Sequence, residues 1–203
     1  AESADEGVFS PKRAAYEFYN LKTKVPQSSL VINEVMANNQ TTVMDETGDY
    51  DDWIELYNNS NTPISTNGLL FSDNPLNLDK WDLPNIVINP NSYFIIWADE
   101  DGNTGDNHAN FRLSNLGEQL ILSNSDSTIV DAEFIYPQLD DVAYGRYPNG
   151  IGSFTMLTPT FNANNSPSST DYSLDLNDIK IYPNPFQDFI IIESSIDFHI
   201  TNA

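Results

Sequence analysis

The chain has 203 residues, no cysteine and a net charge of −22. That length supports one ordinary domain with flanking pieces, and the missing cysteine excludes thiolate metal sites, thiol nucleophiles and disulfides. Residues 30–165 hold three cations (Lys80, Arg112, Arg146) against twenty carboxylates, a surface that repels phosphate backbones and anionic lipid and so argues against nucleic-acid partners and membrane insertion.

The start, "AESADEGVFS", has neither a basic cluster nor an apolar run, so no signal peptide is read there. No segment reaches the roughly 18 apolar residues of a membrane helix. Residues 11–25, "PKRAAYEFYNLKTKV", predict a helix: Pro11 suits a first turn, and Ala14, Phe18, Leu21 and Val25 fall at helical spacing. "PQSS" breaks the pattern. From Leu30 onward the signals are those of strands. "SLVINEVMA", "WIELYN", "SYFIIWA", "EQLILS" and "STIVDAEFIY" are short, rich in β-branched or aromatic residues, and bounded by turn formers. "LILSNSDSTIV" predicts a hairpin with its turn at residues 124–127. Many short strands without βαβ alternation predict an antiparallel β-sandwich or barrel. "SPSSTDYSLDLND", residues 166–178, reads as a linker, and "IKIYPNPFQDFIIIES" returns to strand character. The expected division is a helical segment or end of an upstream domain (1–27), a sandwich (28–165), a linker (166–178) and a partial C-terminal β piece (179–203).

In order, "LVINEVMANN", "DETGDYDDWIELYNNSNTPIS", "LLFSDN", "KWDLPN", "YFIIWADED", "NFRLSNLGEQLIL", "VAYGRYPNGIGSF" and "LTPTFNANN" resemble a bacterial lamin-tail domain, the module also found at the end of nuclear lamins. The resemblance implies an immunoglobulin-like fold. The tail segment "IKIYPNPFQDFIIIES" is similar to the opening of the C-terminal sorting domain of the type IX secretion system of Bacteroidetes. That resemblance implies export to the outer-membrane surface or beyond, with the secretion machinery as a partner. "DEGVFSPKRAAYEFYNLK" is similar to the last helix of barrel-type glycoside hydrolases, which would make it the end of an upstream domain.

Enzyme motifs are missing. There is no "GxSxG", "HExxH" or phosphate-binding glycine loop, and of the two histidines His199 lies in the tail. With so many carboxylates, a pair at glycosidase spacing is expected by chance, so catalysis is not expected. Calcium is the live alternative to plain solvation for two acidic segments, because hard cations take carboxylates and carbonyls on loops that wrap. One holds Asp45, Asp49, Asp51 and Asp52 around Gly48. The other, "ADEDGNTGDN", holds Asp99, Asp101, Asn103 and Asp106. A site pooled from both loops would be stronger than either alone; the bland reading is charge facing water. Trp53 and Trp97 sit in strand centres and are expected in the core, whereas Trp81 and Tyr50 are the candidates for stacking on a glycan. Arg146 is expected to pair with Glu34 or Glu55, whose strand positions alternate with apolar neighbours. The expected function is a non-catalytic accessory, adhesion or spacer module of a secreted multidomain surface protein. The alternative is a carbohydrate-binding module serving an upstream glycoside hydrolase, with polysaccharide as partner.

Overall fold

The structure is a computed structural model. It describes residues 24–100 and 104–166, together with the strand residues 180–182 and 191–193. The chain divides into two compact units, Ala1–Ser168 and Ser169–Ala203. The described part of the first unit is all β. Five strands, β1 (Leu30–Met36), β2 (Trp53–Asn58), β7 (Tyr93–Trp97), β10 (Ala143–Tyr147) and β11 (Ser153–Leu157), form an antiparallel sheet in the order β11-β10-β1-β2-β7. Four more, β4 (Leu69–Ser72), β5 (Trp81–Asp82), β8 (Glu118–Asn124) and β9 (Ile129–Ile135), form a second in the order β5-β4-β8-β9. A small ladder joins β3 (Ile64–Ser65) to β6 (Val87–Ile88). The second unit contributes β12 (Lys180–Tyr182) paired antiparallel with β13 (Ile191–Glu193).

Alternation decides which face each strand buries. Ile54 and Leu56 of β2 meet Leu69, Phe71, Leu120, Leu122 and Val130 of the second sheet in the main core. Trp53, one residue before Ile54, points to the other face. There it forms a smaller cluster with Met36, Trp97, Ala143 and Leu157. Phe161 caps that cluster, its ring 5.2 Å from Trp53 and 5.5 Å from Trp97. Trp53 and Trp97 are thus core residues, as expected from their strand positions. β1 is buried along its whole length. A register shift between Ile32 and Glu34 inserts a bulge, so Leu30 and Ile32 before it and Val35 after it all reach the main core.

The predicted hairpin is present as β8–β9, with Ser127 at φ 65° in its turn. The expected helix lies outside the described residues except for Lys24 and Val25, which are not helical. Val25 is instead buried in the sandwich, because its N–H and C=O both bond the Asn124 side chain, at 2.8 and 3.0 Å. The linker reading also falls outside the described residues, apart from Ser166.

Candidate functional site

The stretch "DETGDYDD" folds around its first carboxylate. Asp45 Oδ1 accepts the N–H groups of Thr47 (2.9 Å), Gly48 (2.8 Å) and Asp49 (2.8 Å). Gly48 takes φ 94°, a left-handed conformation that suits glycine. Burial pushes the Asp45 carboxyl up, but the N–H groups of Asp49, Thr47 and Gly48 and the Thr47 hydroxyl outweigh it and hold the group below its ordinary value. Asp45 therefore organises the turn. Glu46 and Asp49 project from it.

The chain then enters β2 through Asp51 and Asp52. Asn39 fastens this entry: its side-chain amide donates to Val43 O (2.6 Å) and Asp51 O (2.8 Å), and its N–H bonds Asp52 Oδ1 (3.2 Å). Just after β7, Ala98 N–H bonds Asp52 O at 2.8 Å, which brings the second acidic segment alongside. The result is a cleft of about 210 Å³ whose walls include Asp51, Asp52, Asp99, Tyr50 and Arg112. Burial, partly offset by the Asn39 N–H and reinforced by the Asp51 charge, raises Asp52 to about 6. Asp51 is also raised, by burial and then by Asp99, Asp45 and Asp49. The two loops thus pool their charge.

Beside the cleft stands a residue that the sequence reading set aside. His108 is 1% exposed. It is held next to Trp97 by a parallel bridge, with Ala109 N–H on Trp97 O at 2.7 Å. Its Nδ1 lies 2.5 Å from Asp99 Oδ2 and its Nε2 2.9 Å from Glu46 Oε1. Burial pulls this imidazole down, but the hydrogen bonds and charges of Asp99 and Glu46 exceed that effect and raise it. The only sequence sign was a lone histidine two residues after Asp106 in an acidic run.

A family model described as Lamin Tail Domain matches residues 23–136, more than half of the chain. The chain belongs to the lamin tail domain family. No curated protein matches it. The match runs from the segment that enters β1 to the end of β9, so it contains both acidic loops, the cleft and His108.

Within this lamin tail domain the expected cation ligands divide. Asp51, Asp52 and Asp99 share the cleft. Asp45 and Asp49 belong to the turn, Asp106 is exposed, and Asp101 and Asn103 lie outside the described residues. The two glycan candidates are not brought together. Tyr50 stands on the cleft, 39% exposed, whereas Trp81 pairs with Phe71 across β4–β5 and packs half-buried against the main core.

Arg146 requires a correction. Its partners are Asp131, at 3.1 and 3.2 Å, and Glu133, with Nε on Ile32 O at 2.9 Å and the guanidinium over the Phe154 ring at 5.1 Å. Glu34 and Glu55 do not pair with it. The cause is strand alternation: Glu34 lies opposite Gly145 in the β1–β10 ladder, so its neighbour Arg146 projects from the other face. On their own face Glu34 accepts the N–H of Thr160 (2.8 Å) and its hydroxyl (2.5 Å). Glu55 accepts the amide of Asn33 (2.8 Å) and the N–H of Asn162 (2.7 Å).

Proposed function

We propose that this lamin tail domain is a non-catalytic accessory and spacer module of a secreted, multidomain bacterial surface protein, with calcium stabilising its acidic end. The observation that carries the spacer reading is the pair of buried asparagine clamps where the chain enters and leaves the sandwich. Asn124 holds both backbone groups of Val25. Asn165 donates to Asn33 O (3.0 Å) and Arg146 O (2.8 Å). These clamps fix where the chain enters and leaves the sandwich, as a folded module inserted between other segments requires. The pooled charge of Asp51, Asp52 and Asp99 supports the calcium component, because a hard cation offsets both the burial and, after it, the like-charge repulsion that raise Asp51 and Asp52. The resemblance of the tail to a type IX sorting segment supports the surface destination.

Limited proteolysis of the full chain, with products identified by mass, tests the clamps. The sandwich is expected to survive as a protected product. Asn124→Ala and Asn165→Ala should each open new cleavage at its own end. An unaltered cleavage pattern in both variants overturns the reading.

A second reading, glycan binding, is favoured by an aromatic row that the sequence did not single out. Phe134 and Tyr136 are 55% and 58% exposed, and the ring centroids run Phe134–Tyr136 5.2 Å, Tyr136–Tyr144 6.1 Å and Tyr144–Phe154 5.4 Å. Phe134 and Tyr136 meet edge to face at 77°, so each exposed ring offers its own face for a pyranose rather than a shared platform. Gel mobility in immobilised polysaccharides separates the candidates. Retardation lost in Tyr136→Ala and kept in Trp81→Ala supports the row; the reverse supports Trp81.

A further inference from the structure

We propose that Asp45, Glu46 and His108 form a binding site for a borderline divalent transition-metal ion, with zinc as its first occupant and Asp99 orienting the imidazole. One ligand atom from each of the three residues lies within 4.8 Å of the others. A tetrahedral ion with bonds of about 2.0–2.1 Å sets its ligand atoms roughly 3.4 Å apart, so the site closes on the ion by small side-chain movements. Glu46 supplies its share, its side chain being 49% exposed, and the exposed turn that carries Asp45 shifts toward the enclosed His108 for the rest.

Three features point to a metal rather than to an ordinary acidic surface. The first is the imidazole's second nitrogen. Metal-bound histidines characteristically donate their other ring N–H to a carboxylate, which fixes the tautomer and makes the ligating nitrogen more basic. Asp99 Oδ2, itself buried, takes that place at Nδ1. The second follows from the first. With the proton on Nδ1, the Nε2 lone pair faces the Glu46 carboxylate at 2.9 Å, two acceptors pointing at each other. In the metal-free protein a proton on Nε2 bridges them as a charged hydrogen bond, and a dication that displaces this proton engages Glu46 and the imidazole together. The third is the state of Asp45. Its Oδ1 is taken by the N–H groups of the turn, whereas its Oδ2 meets the Thr47 hydroxyl at 2.9 Å. That hydroxyl also contacts Asp49 Oδ2 at 3.0 Å and has one proton to give. Asp45 Oδ2 keeps lone-pair capacity for an ion. Gly105 leaves the space: a Cβ there would lie 2.8 Å from Glu46 Oε1 and 3.0 Å from His108 Cδ2.

The donor set, one imidazole and two carboxylates, suits zinc and its neighbours better than calcium, which takes oxygen ligands. Three protein ligands leave a fourth position for water. Bound there, the ion ties the turn at residues 45–49 to the segment carrying His108. The site is separate from the proposed calcium cleft, with Asp99 adjoining both.

The test uses the full chain, stripped with EDTA and desalted. Zinc chloride is titrated by calorimetry, cobalt(II) is followed by its visible absorption, and the histidine ring nitrogens are followed by NMR. The expected result is one saturable zinc site, cobalt bands of low coordination number, and zinc-dependent shifts of His108 but not of His199. Glu46→Gln keeps the fold, because its amide can donate to Nε2, but it should weaken zinc by about tenfold or more. Asp51→Asn should leave zinc binding intact. The proposal is overturned by no saturable zinc binding, by undiminished affinity in Glu46→Gln, or by zinc shifts confined to His199. Zinc binding lost in Asp51→Asn and kept in Glu46→Gln also overturns it, by placing the ion in the cleft. Calcium stabilisation of the cleft is tested separately, by the calcium dependence of the unfolding midpoint.

Discussion

Glu34 and Glu55 on β1 and β2, and Asp131 and Glu133 on β9, are two pairs of carboxylates in one sandwich with opposite kinds of partner. The β9 pair meets Arg146, and Asp131 Oδ2 also accepts the N–H of Ile32 at 2.8 Å. Among the described residues the other pair faces neutral donors, from Asn33 and from the loop at residues 158–165. Glu34 and Glu55 also stand directly opposite each other across the β1–β2 ladder, where like charges repel. Burial, against the pull of the Thr160 hydroxyl and N–H, raises Glu34 to about 7. Burial and the neighbouring Glu34 charge, against the Asn33 and Asn162 hydrogen bonds, raise Glu55 to about 8. Glu133 is raised by burial too, but the Arg146 charge opposes it. A buried carboxylate can keep its charge if a cation follows it in, or take up a proton if only dipoles do. This domain sets the two arrangements on either side of the five-stranded sheet, with Arg146 projecting from one face toward β9 and Glu34 and Glu55 from the other.

The largest expected effect comes from removing the cation. Arg146→Met keeps the apolar stem over Phe154 but leaves Asp131 and Glu133 without their counter-charge and Ile32 O without its donor. Breaking a buried pair in this way costs about 3–5 kcal/mol, to be read from urea unfolding. A loss within about 1 kcal/mol, the usual worth of an exposed pair, would mean that the β9 carboxylates do not depend on Arg146.

The opposite pair is tested by pH. Unfolded, Glu34 titrates near its ordinary value of 4.5; folded, near about 7. Between those values the folded state binds more protons than the unfolded state. The stability from Glu34 is therefore greatest at the acid end of this window and falls as pH rises through it, and Glu55, raised to about 8, extends the fall further. Glu34→Gln mimics the protonated acid toward Thr160 and should remove roughly 3 kcal/mol of the stability change between about pH 5 and about pH 8. An unchanged slope would show that Glu34 stays charged and that the two pairs do not differ. A smaller effect is expected beside them. Asn165→Ala strips partners from Asn33 O and Arg146 O, and about 1–3 kcal/mol should be lost for buried groups left unpaired.

How far the sequence announces these partners depends on distance along the chain. β1, β2, β7, β8 and β9 are legible as short runs of β-branched and aromatic residues, and the turn at residues 124–127 as a cluster of Asn, Ser and Asp. β3, β5 and β6 have two residues each, too few to show a period. Glycine and arginine interrupt β10, "AYGRY". Burial of Glu34 and Glu55 is legible from their apolar neighbours, but their partners are not. A one-residue change of register turns Arg146 to the other face, and register is set by strands more than a hundred positions away. The acidic end has the same limit. Its charge is obvious, but the meeting of Asp52 with Asp99 depends on the β2–β7 ladder, and Glu46 reaches His108 across 62 positions.

The acidic end supplies a third case, and its test has the smallest expected effect. Asp51, Asp52 and Asp99 are crowded like Glu34 and Glu55, but their cleft opens to solvent and a cation can enter from outside. Arg112 reaches Asp99 through the backbone, Nε to the carbonyl at 3.0 Å, and its side chain is 72% exposed. It therefore screens the carboxylates weakly. Calcium at about ten times its dissociation constant should add about 1.4 kcal/mol, which for a domain of this size raises the unfolding midpoint by about 2–4 °C per kcal/mol. Burial with its neighbours' charge holds Asp52 to about 6, so protons compete with calcium and the calcium increment should shrink as pH falls through that value. Asp51→Asn should abolish the increment while raising the midpoint in EDTA, because one of the repelling charges is gone. If calcium leaves the wild-type midpoint where EDTA puts it, the cleft behaves like the Glu34–Glu55 pair and relieves its charge by protonation alone.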